Sequence, residues 1–383
     1  MTYKTRIVRT TDEFTALEGR WGDLLSRSPA NNYFLSWEWL WNWWHVFARP
    51  DDRLTILLIE KGDDLIGVAP FFVRKRLLGG IYPVRRMMFL GTQEEGGVDV
   101  GSDYMDLICR EGEEKRAVAV FFKIIAEQDI CDELYLSKID TATESFALFQ
   151  EAARKLKYLT LIAETSVSPY IELPSTWDEY LNSLAPSMRY KIRNGRRRLQ
   201  KSGGAVVHKV KNAVELARGF EELARLHKKR WESRGMAGAF AHEQFVRFHK
   251  RIMPSMLQQG RLGLYVLTED NDSKAVIYNI VYKNKVYFYQ SGVDTADRKS
   301  AFGYVLHSHC IEEAIEQGMA EYDFLPKGAR DDYKDRFSTQ RRTVSDIYVA
   351  SQWGVKHFVR AKELARRVYH RSKPRLQSRD KRI

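Results

Sequence analysis

The chain has 383 residues, of which 44% are hydrophobic and 29% charged, a length suited to two ordinary domains and a composition that excludes a disordered protein. The formal charge is +12, but residues 187–201 hold seven Lys/Arg and no acid, and residues 356–383 hold eleven Lys/Arg against Glu363 and Asp380. These two segments carry +16 together, so the rest stands at −4 (12 less 16); that favours discrete anion contacts over a broad nucleic-acid-binding face.

From the N-terminus, MTYKTRIVRTTDEF lacks the apolar run of a signal peptide. TDEFTALEGRWGDLL has helical spacing, and FLSWEWLWNWWHVF at 34–47 reads as an aromatic amphipathic helix. Its tryptophans at 37, 39, 41, 43 and 44 suit core packing better than a sugar platform. LTILLI at 54–59 and VAPFFV at 68–73 flank Asp63-Asp64 as a hairpin. Both are far shorter than the roughly 20 residues of a membrane span, so the expected compartment is the cytoplasm. Cys109, Cys131 and Cys310 are odd in number and widely spaced, which fits reduced thiols.

The plan then recurs. NAVELARGFEELARLH, FAHEQFVRFHKRIM and LGLYVLTEDNDSKAVIYNIV repeat helix, helix, hairpin at offsets of about 206 to 208 residues. SPYIELPSTW places two prolines between the copies, so a boundary is expected near 169–174. The second copy opens with RYKIRNGRRRLQK, where Arg189, Lys191 and Arg193 suit either a solvated helix face or an anionic, phosphorylated acceptor.

KVYFYQSGV at 285–293 predicts a strand with Tyr287 and Tyr289 on one face and Phe288 on the other. A polar loop, a helix ending at Gly318 and the strand AEYDFL follow, which is a parallel crossover unit. The loop holds Arg298, Lys299, Ser300, Ala301, Phe302 and Gly303 just before the helix. Unpaired amides at a helix N-terminus, small residues and two cations suit a diphosphate as well as a plain connection. His307 and His309 are two apart and do not share a helix face, and no zinc-hydrolase, Cys-x-x-Cys or P-loop pattern occurs, so no metal is expected. Residues 352–383 begin as a basic amphipathic helix bearing Phe358, Ala361, Ala365 and Val368 on one face. The segment suits docking on its own domain, an anionic membrane surface or a polyanionic partner.

Arg298-x-x-Ala301-x-Gly303 between strand and helix resembles the coenzyme A diphosphate loop of the GNAT superfamily, with Ala301 where that family has its first glycine. SDYMDLI at 102–108, RYKIRNGRRRLQK, YFYQSGVD, EYDFL and YKDRF resemble CelD-like (cellulose-biosynthesis-associated) GNAT proteins. The duplicated plan is similar to FemAB-type aminoacyltransferases. The implied fold is α/β, with two tandem GNAT-like domains, each a mixed, mostly antiparallel sheet flanked by helices, plus a basic C-terminal helix and tail. The bounds are 1–168 for a degenerate, acceptor-shaping half, 175–350 for the transferase half and 351–383 for the tail.

The resemblance implies acyl transfer from acetyl-CoA or another acyl-CoA to an amine, with no metal. It implies that Gln290, Ser291 and Gly292 line the acyl arm between splayed strands. Asp323 would orient or deprotonate the amine, its alternative being a structural carboxylate. Tyr333 and Lys334 would serve the thioester as acid and charge stabiliser, their alternative being a solvated loop. The acceptor class is a small amine or glycan precursor. Two other readings stand: an aminoacyl-tRNA-dependent transferase, the one case with a nucleic-acid partner, and a silent GNAT-like partner of a polysaccharide-synthesis complex.

Overall fold

The computed structural model describes residues 3–92, 100–296, 301–328, 332–352 and 354–359. The first half opens with strand β1 (Tyr3–Val8) and helix α1 (Thr11–Thr15), whose start is fixed by a reciprocal cap between Thr10 and Glu13. Helix α2 (Glu18–Ser26) and a 3₁₀ turn (Tyr33–Leu35) lead into α3 (Trp37–Phe47), where the Ser36 side chain accepts from the Trp39 amide. Strands β2 (Arg53–Lys61), β3 (Asp64–Leu78), β4 (Tyr82–Phe89) and the short β5 (Ile108–Cys109) follow. Helix α4 (Glu114–Glu127), β6 (Glu133–Asp140), α5 (Glu144–Lys155) and β7 (Leu159–Glu172) complete this part.

The second half begins with α6 (Trp177–Ser183) and the basic α7 (Pro186–Ser202), which has proline in its first turn and a left-handed Gly203 at its end. Strand β8 (Ala205–Lys209), α8 (Ala213–Glu232), a 3₁₀ turn (Ala239–Ala241) and α9 (Glu243–Gln258) come next. They are followed by β9 (Leu262–Glu269), β10 (Asp272–Tyr282), β11 (Lys285–Val293), α10 (Phe302–Glu316), β12 (Glu321–Asp323), α11 (Lys334–Phe337) and β13 (Gln340–Ala350). The expected duplication is present: strand, helices, 3₁₀ turn, helix and antiparallel hairpin occur in the same order twice. The edge strands β1 and β8 lie outside the elements expected from the sequence. In the second hairpin Asp270 and Asn271 both take positive φ, 52° and 63°, as a two-residue turn matching strand twist requires.

The two sheets are one. The strand order is β1-β2-β3-β4-β6-β13-β7-β12-β11-β10-β9-β8. Most neighbours are antiparallel, while β4 with β6 and β11 with β12 are parallel crossovers. The last strand among the described residues, β13, pairs with β6 of the first half, and β7 lies between β13 and β12. Each half therefore borrows from the other. Pro169 is not in a linker: it sits within β7, opposite Arg341 of β13, so the expected boundary at 168–175 falls in and just after a strand.

Packing joins the halves as well. Trp39 is fully buried, its ring 4.8 Å from Phe248 of α9 and its Nε1 donating to Ser102 Oγ at 2.8 Å. Burying such a ring is worth about 4–6 kcal/mol before its ordering cost. The tryptophan-rich helix is core, as its spacing suggested. On the opposite face, α6, α7 and α10 close a separate apolar cluster around Phe288, Leu306 and Tyr322. The strand reading of 285–293 holds, since Tyr287 belongs to the first cluster and Phe288 to the second. Val355 is buried and Phe358 packs near Gly79; Ala361, Ala365, Val368 and the rest of the expected tail lie outside the described residues.

Candidate functional site

Strands β11 and β12 pair through three residues only, Lys285–Tyr287 with Glu321–Asp323. Beyond that point the chain after β12 follows β7, with the Phe324 amide donating to Pro169 O and the Lys327 amide to Val167 O, both at 3.0 Å. β11 runs on to Val293 without it. A register shift opposite Tyr278/Asn279 adds a residue to β11 between Phe288 and Gln290, and a bulge of this kind re-aims the side chains beyond it. The result is a wedge-shaped gap at the end of β11.

A cleft of about 560 Å³ fills this gap, lined among others by Ser291, Val293, Ala301, Gly303, Tyr304 and His307, a volume within the usual range for small-ligand sites. One wall is the N-terminus of α10. Its first bonds run from the Tyr304 and Val305 amides to Ala301 O at 2.9 and 3.1 Å, so the Phe302 and Gly303 amides precede the helical ladder and carry its partial positive charge. Ala301 has φ 51° and ψ 31°, the left-handed conformation glycine adopts most easily. That accounts for glycine at the matching place in the GNAT motif. At Gly303 a Cβ would stand 3.2 Å from Val293 Cγ2, so the missing side chain lets α10 start close against β11.

Of the residues expected here, Ser291, Ala301, Phe302, Gly303 and Tyr333 line the cleft. The Phe302 side chain is buried in the core, leaving its backbone as the group that faces a ligand. Arg298, Lys299 and Ser300 lie outside the described residues. Gln290 is half-buried and its Oε1 accepts from the Ser291 amide at 3.1 Å. Gly292 turns to the opposite face: a Cβ there would meet Leu226 Cβ at 2.7 Å and His227 N and Leu223 O at 2.8 Å. Its requirement is close packing of α8 on β11, in place of the expected contact with an acyl arm.

Asp323 is not among the cleft residues. It is fully buried and accepts from Tyr104 Oη (2.7 Å), Ser168 Oγ (3.0 Å) and the Leu325 amide (2.7 Å), with Arg342 Nη1 at 3.4 Å. Burial pushes its carboxyl upward against the pull of Arg342. Four partners from both halves occupy it, so the expected base is a junction carboxylate, the structural alternative. Lys334 is also buried, donating from Nζ to Phe324 O at 2.8 Å, and so braces the chain after β12 where exposure to a thioester was expected.

The basic helix contributes one residue near the site. Lys191 Nζ lies 3.5 Å from the Tyr304 ring centre, Arg189 Nη1 donates to Asn182 O at 2.9 Å, and Arg193 is exposed. None of Arg189, Lys191 and Arg193 lines the cleft itself. Lys191 thus stands on the α10 side and adds charge beside the helix N-terminus.

The sequence reading missed Arg230, Arg234 and His307, all of which line the cleft. Their signals are modest: KKRWESR ends the helical pattern of α8, and His307 lies four residues after Gly303 on one face. His307 is buried among Phe288, Tyr333 and Phe337, and its Nδ1 has no partner among the described residues. Burial, helped by Lys334 and Arg230, lowers it to about 3. Protonating it at neutral pH would cost roughly 5 kcal/mol, so it is a neutral hydrogen-bonding group and a poor proton acceptor.

Among the described residues, no group of three or more His, Cys, Asp or Glu is placed to hold a metal ion, and no helix is long and apolar enough to cross a membrane. Cys109, Cys131 and Cys310 are unpaired and buried.

Residues 186–335 match the family model described as acetyltransferase (GNAT) domain. No curated sequence matches the chain. Among solved structures, FemX is similar with a TM-score of 0.59 at 12% identity, over 90% of this chain and 96% of that one. A conserved protein of unknown function from Bacteroides thetaiotaomicron reaches 0.56 at 10% identity, over 91% and 100%. The L-PGS of Bacillus licheniformis reaches 0.50 at 11%, over 91% and 96%. The chain therefore shares its fold with these structures, and its second half carries a segment similar to GNAT acetyltransferase domains.

Proposed function

We propose that this tandem GNAT-like protein transfers an acyl group, acetyl being the simplest, from coenzyme A to an amine, with the donor held in the β11/α10 cleft. The observation that carries the reading is the helix N-terminus of α10 opening onto the wedge between β11 and β12. Leading amides of α10, with Arg230, Arg234 and Lys191 around them, suit a diphosphate. The pantetheine arm then lies along β11, whose outer edge beyond Tyr287 is not taken up by β12. Amides on that edge suit the thioester carbonyl, which gains negative charge as the amine attacks. Tyr333 stands at the cleft as the acid for the departing thiolate. His307 orients donor or acceptor as a neutral imidazole, and the acceptor ammonium loses its proton to solvent.

The first half, through the Tyr104 loop, shapes the acceptor side. The likeness of 102–108, 189–201 and 333–337 to CelD-like proteins supports an amine acceptor from envelope or exopolysaccharide assembly. Such a protein works in the cytoplasm, with residues 352–383 reaching an anionic membrane face or a polyanionic partner.

Isothermal titration with acetyl-CoA tests the donor. Saturable micromolar binding is expected, lost in Gly303→Trp and weakened about tenfold by Arg230→Glu. A folded wild-type protein that ignores acetyl-CoA overturns the reading. One observation favours a second donor, aminoacyl-tRNA: the exposed Arg193, Arg197 and Arg198 on α7, the helix that brings Lys191 beside the cleft. Filter binding of aminoacyl-tRNA with a steep salt slope would support that reading.

A further inference from the structure

A second cavity, of about 250 Å³, lies where the two halves meet and is lined by Lys138, Glu164, Ser166, Lys327 and Asp346, with Pro326 and Gly328. Three neighbouring strands lose register at its level. Between β6 and β13 the pairing steps from Ile139↔Ser345 to Leu136↔Ile347, so Ser137 and Lys138 together oppose Asp346 alone. Between β13 and β7 it steps from Asp346↔Glu164 to Ile347↔Ile162, which leaves Ala163 extra on β7. Bulges bend a strand and redirect its side chains. Here they bring Lys138, Asp346 and Glu164 to one place from three strands.

The backbone is strained at the same point. Lys138 has φ 60°, a conformation that costs a residue with a side chain roughly 1–2 kcal/mol. It is held there from two directions: the Lys138 amide donates to Asp346 Oδ1 at 2.8 Å, and its carbonyl accepts from the Met105 amide of the first-half loop at 3.0 Å. Strain secured by partners from two other segments marks a built feature.

The charges are balanced in number and divided in kind. Lys138 Nζ lies 3.7 Å from Asp103 Oδ1, and Lys327 pairs with Asp335. Glu164 is exposed at the mouth, while Asp346 is 6% exposed. Ser137 Oγ, beside Lys138, is buried without a partner among the described residues. A ligand of one sign meets repulsion from half of these groups, and an apolar ligand would desolvate all of them. A molecule carrying both signs can meet all four of the charged groups that line the cavity.

We infer that this cavity binds a small zwitterionic amine, its ammonium between the Glu164 and Asp346 carboxylates and its acid group, phosphate or carboxylate, on Lys138 and Lys327. As the identity of the acyl acceptor this rests on the transfer reading above; as a binding site it stands alone.

The test titrates the full chain with glucosamine 6-phosphate and with 4-aminobutyrate, each beside its N-acetylated form, followed by NMR at millimolar concentration. At least one amine is expected to bind roughly tenfold more tightly than its amide. Glu164→Gln, at an exposed strand position, is expected to remove that preference, and whichever amine binds identifies the acid group. Absence of binding by both amines, equal binding of amine and amide, or a preference that survives Glu164→Gln overturns the assignment. Acetyl-CoA titrated into the same samples separates the two ideas. Donor binding without amine preference removes the zwitterion site alone, and amine preference without donor binding removes the coenzyme A reading alone.

Discussion

Asp323 shows how one carboxylate can hold a junction. Tyr104 arrives from the first half, Ser168 from β7 and Arg342 from β13, and all three converge on it. Removing Asp323 takes the acceptor from the buried Tyr104 and Ser168 hydroxyls and the Leu325 amide, and leaves Arg342 with Glu321 as its carboxylate partner at 2.7 Å. Asp323→Ala is therefore expected to cost about 3–5 kcal/mol, read as a lowered urea midpoint. If the role is structural, the folded fraction of the variant keeps its affinity for acetyl-CoA; a stable variant that loses donor binding returns Asp323 to the site. The identity of Asp323 was visible in EYDFL, but its partners were not. Tyr104 lies 219 residues away and Ser168 155, and nothing in local spacing announces a contact of that kind.

At the scale of elements, β11 serves two helices with opposite demands. On one face Gly292 admits α8 to van der Waals contact, and on the other Ser291 and Val293 face the start of α10. Gly292→Ala would push a methyl against His227 N and Leu223 O at 2.8 Å. Backbone atoms yield poorly, so a loss of about 1–3 kcal/mol in thermal or urea unfolding is expected. Gly303→Ala meets only a Val293 methyl, which can rotate, and is expected to cost less in the same measurement. The helices and hairpins were legible because period and turn chemistry are local: α3, α9, β2–β3 and β9–β10 all follow from apolar spacing and Asp/Asn turns. The bulges were not, because an extra residue in a strand is defined only against the register of its neighbour. Lys138, Glu164 and Asp346 consequently stand out only once β6, β7 and β13 are side by side.

At the scale of the molecule, the duplication was legible and the exchange between copies was not, since strand pairing is not written in either strand alone. With β13 on β6 and β7 between β13 and β12, neither half owns a complete sheet. One cooperative transition is expected in calorimetry, with fluorescence and circular dichroism midpoints coinciding. Two resolved transitions would mean that the halves are independent. The Trp39–Phe248 contact adds a second reason for unity, because separating the halves would wet a buried indole.

The pairing of β6 with β13 also sets an order on biosynthesis. Glu133 of β6 meets Ala350 of β13, so a nascent chain on the ribosome exposes an unfinished strand edge until residue 350 has been made. Closing so long a loop is slow, and a bare edge invites pairing with other chains. The newborn first half is therefore open to such mispairing until β13 emerges to seal its edge.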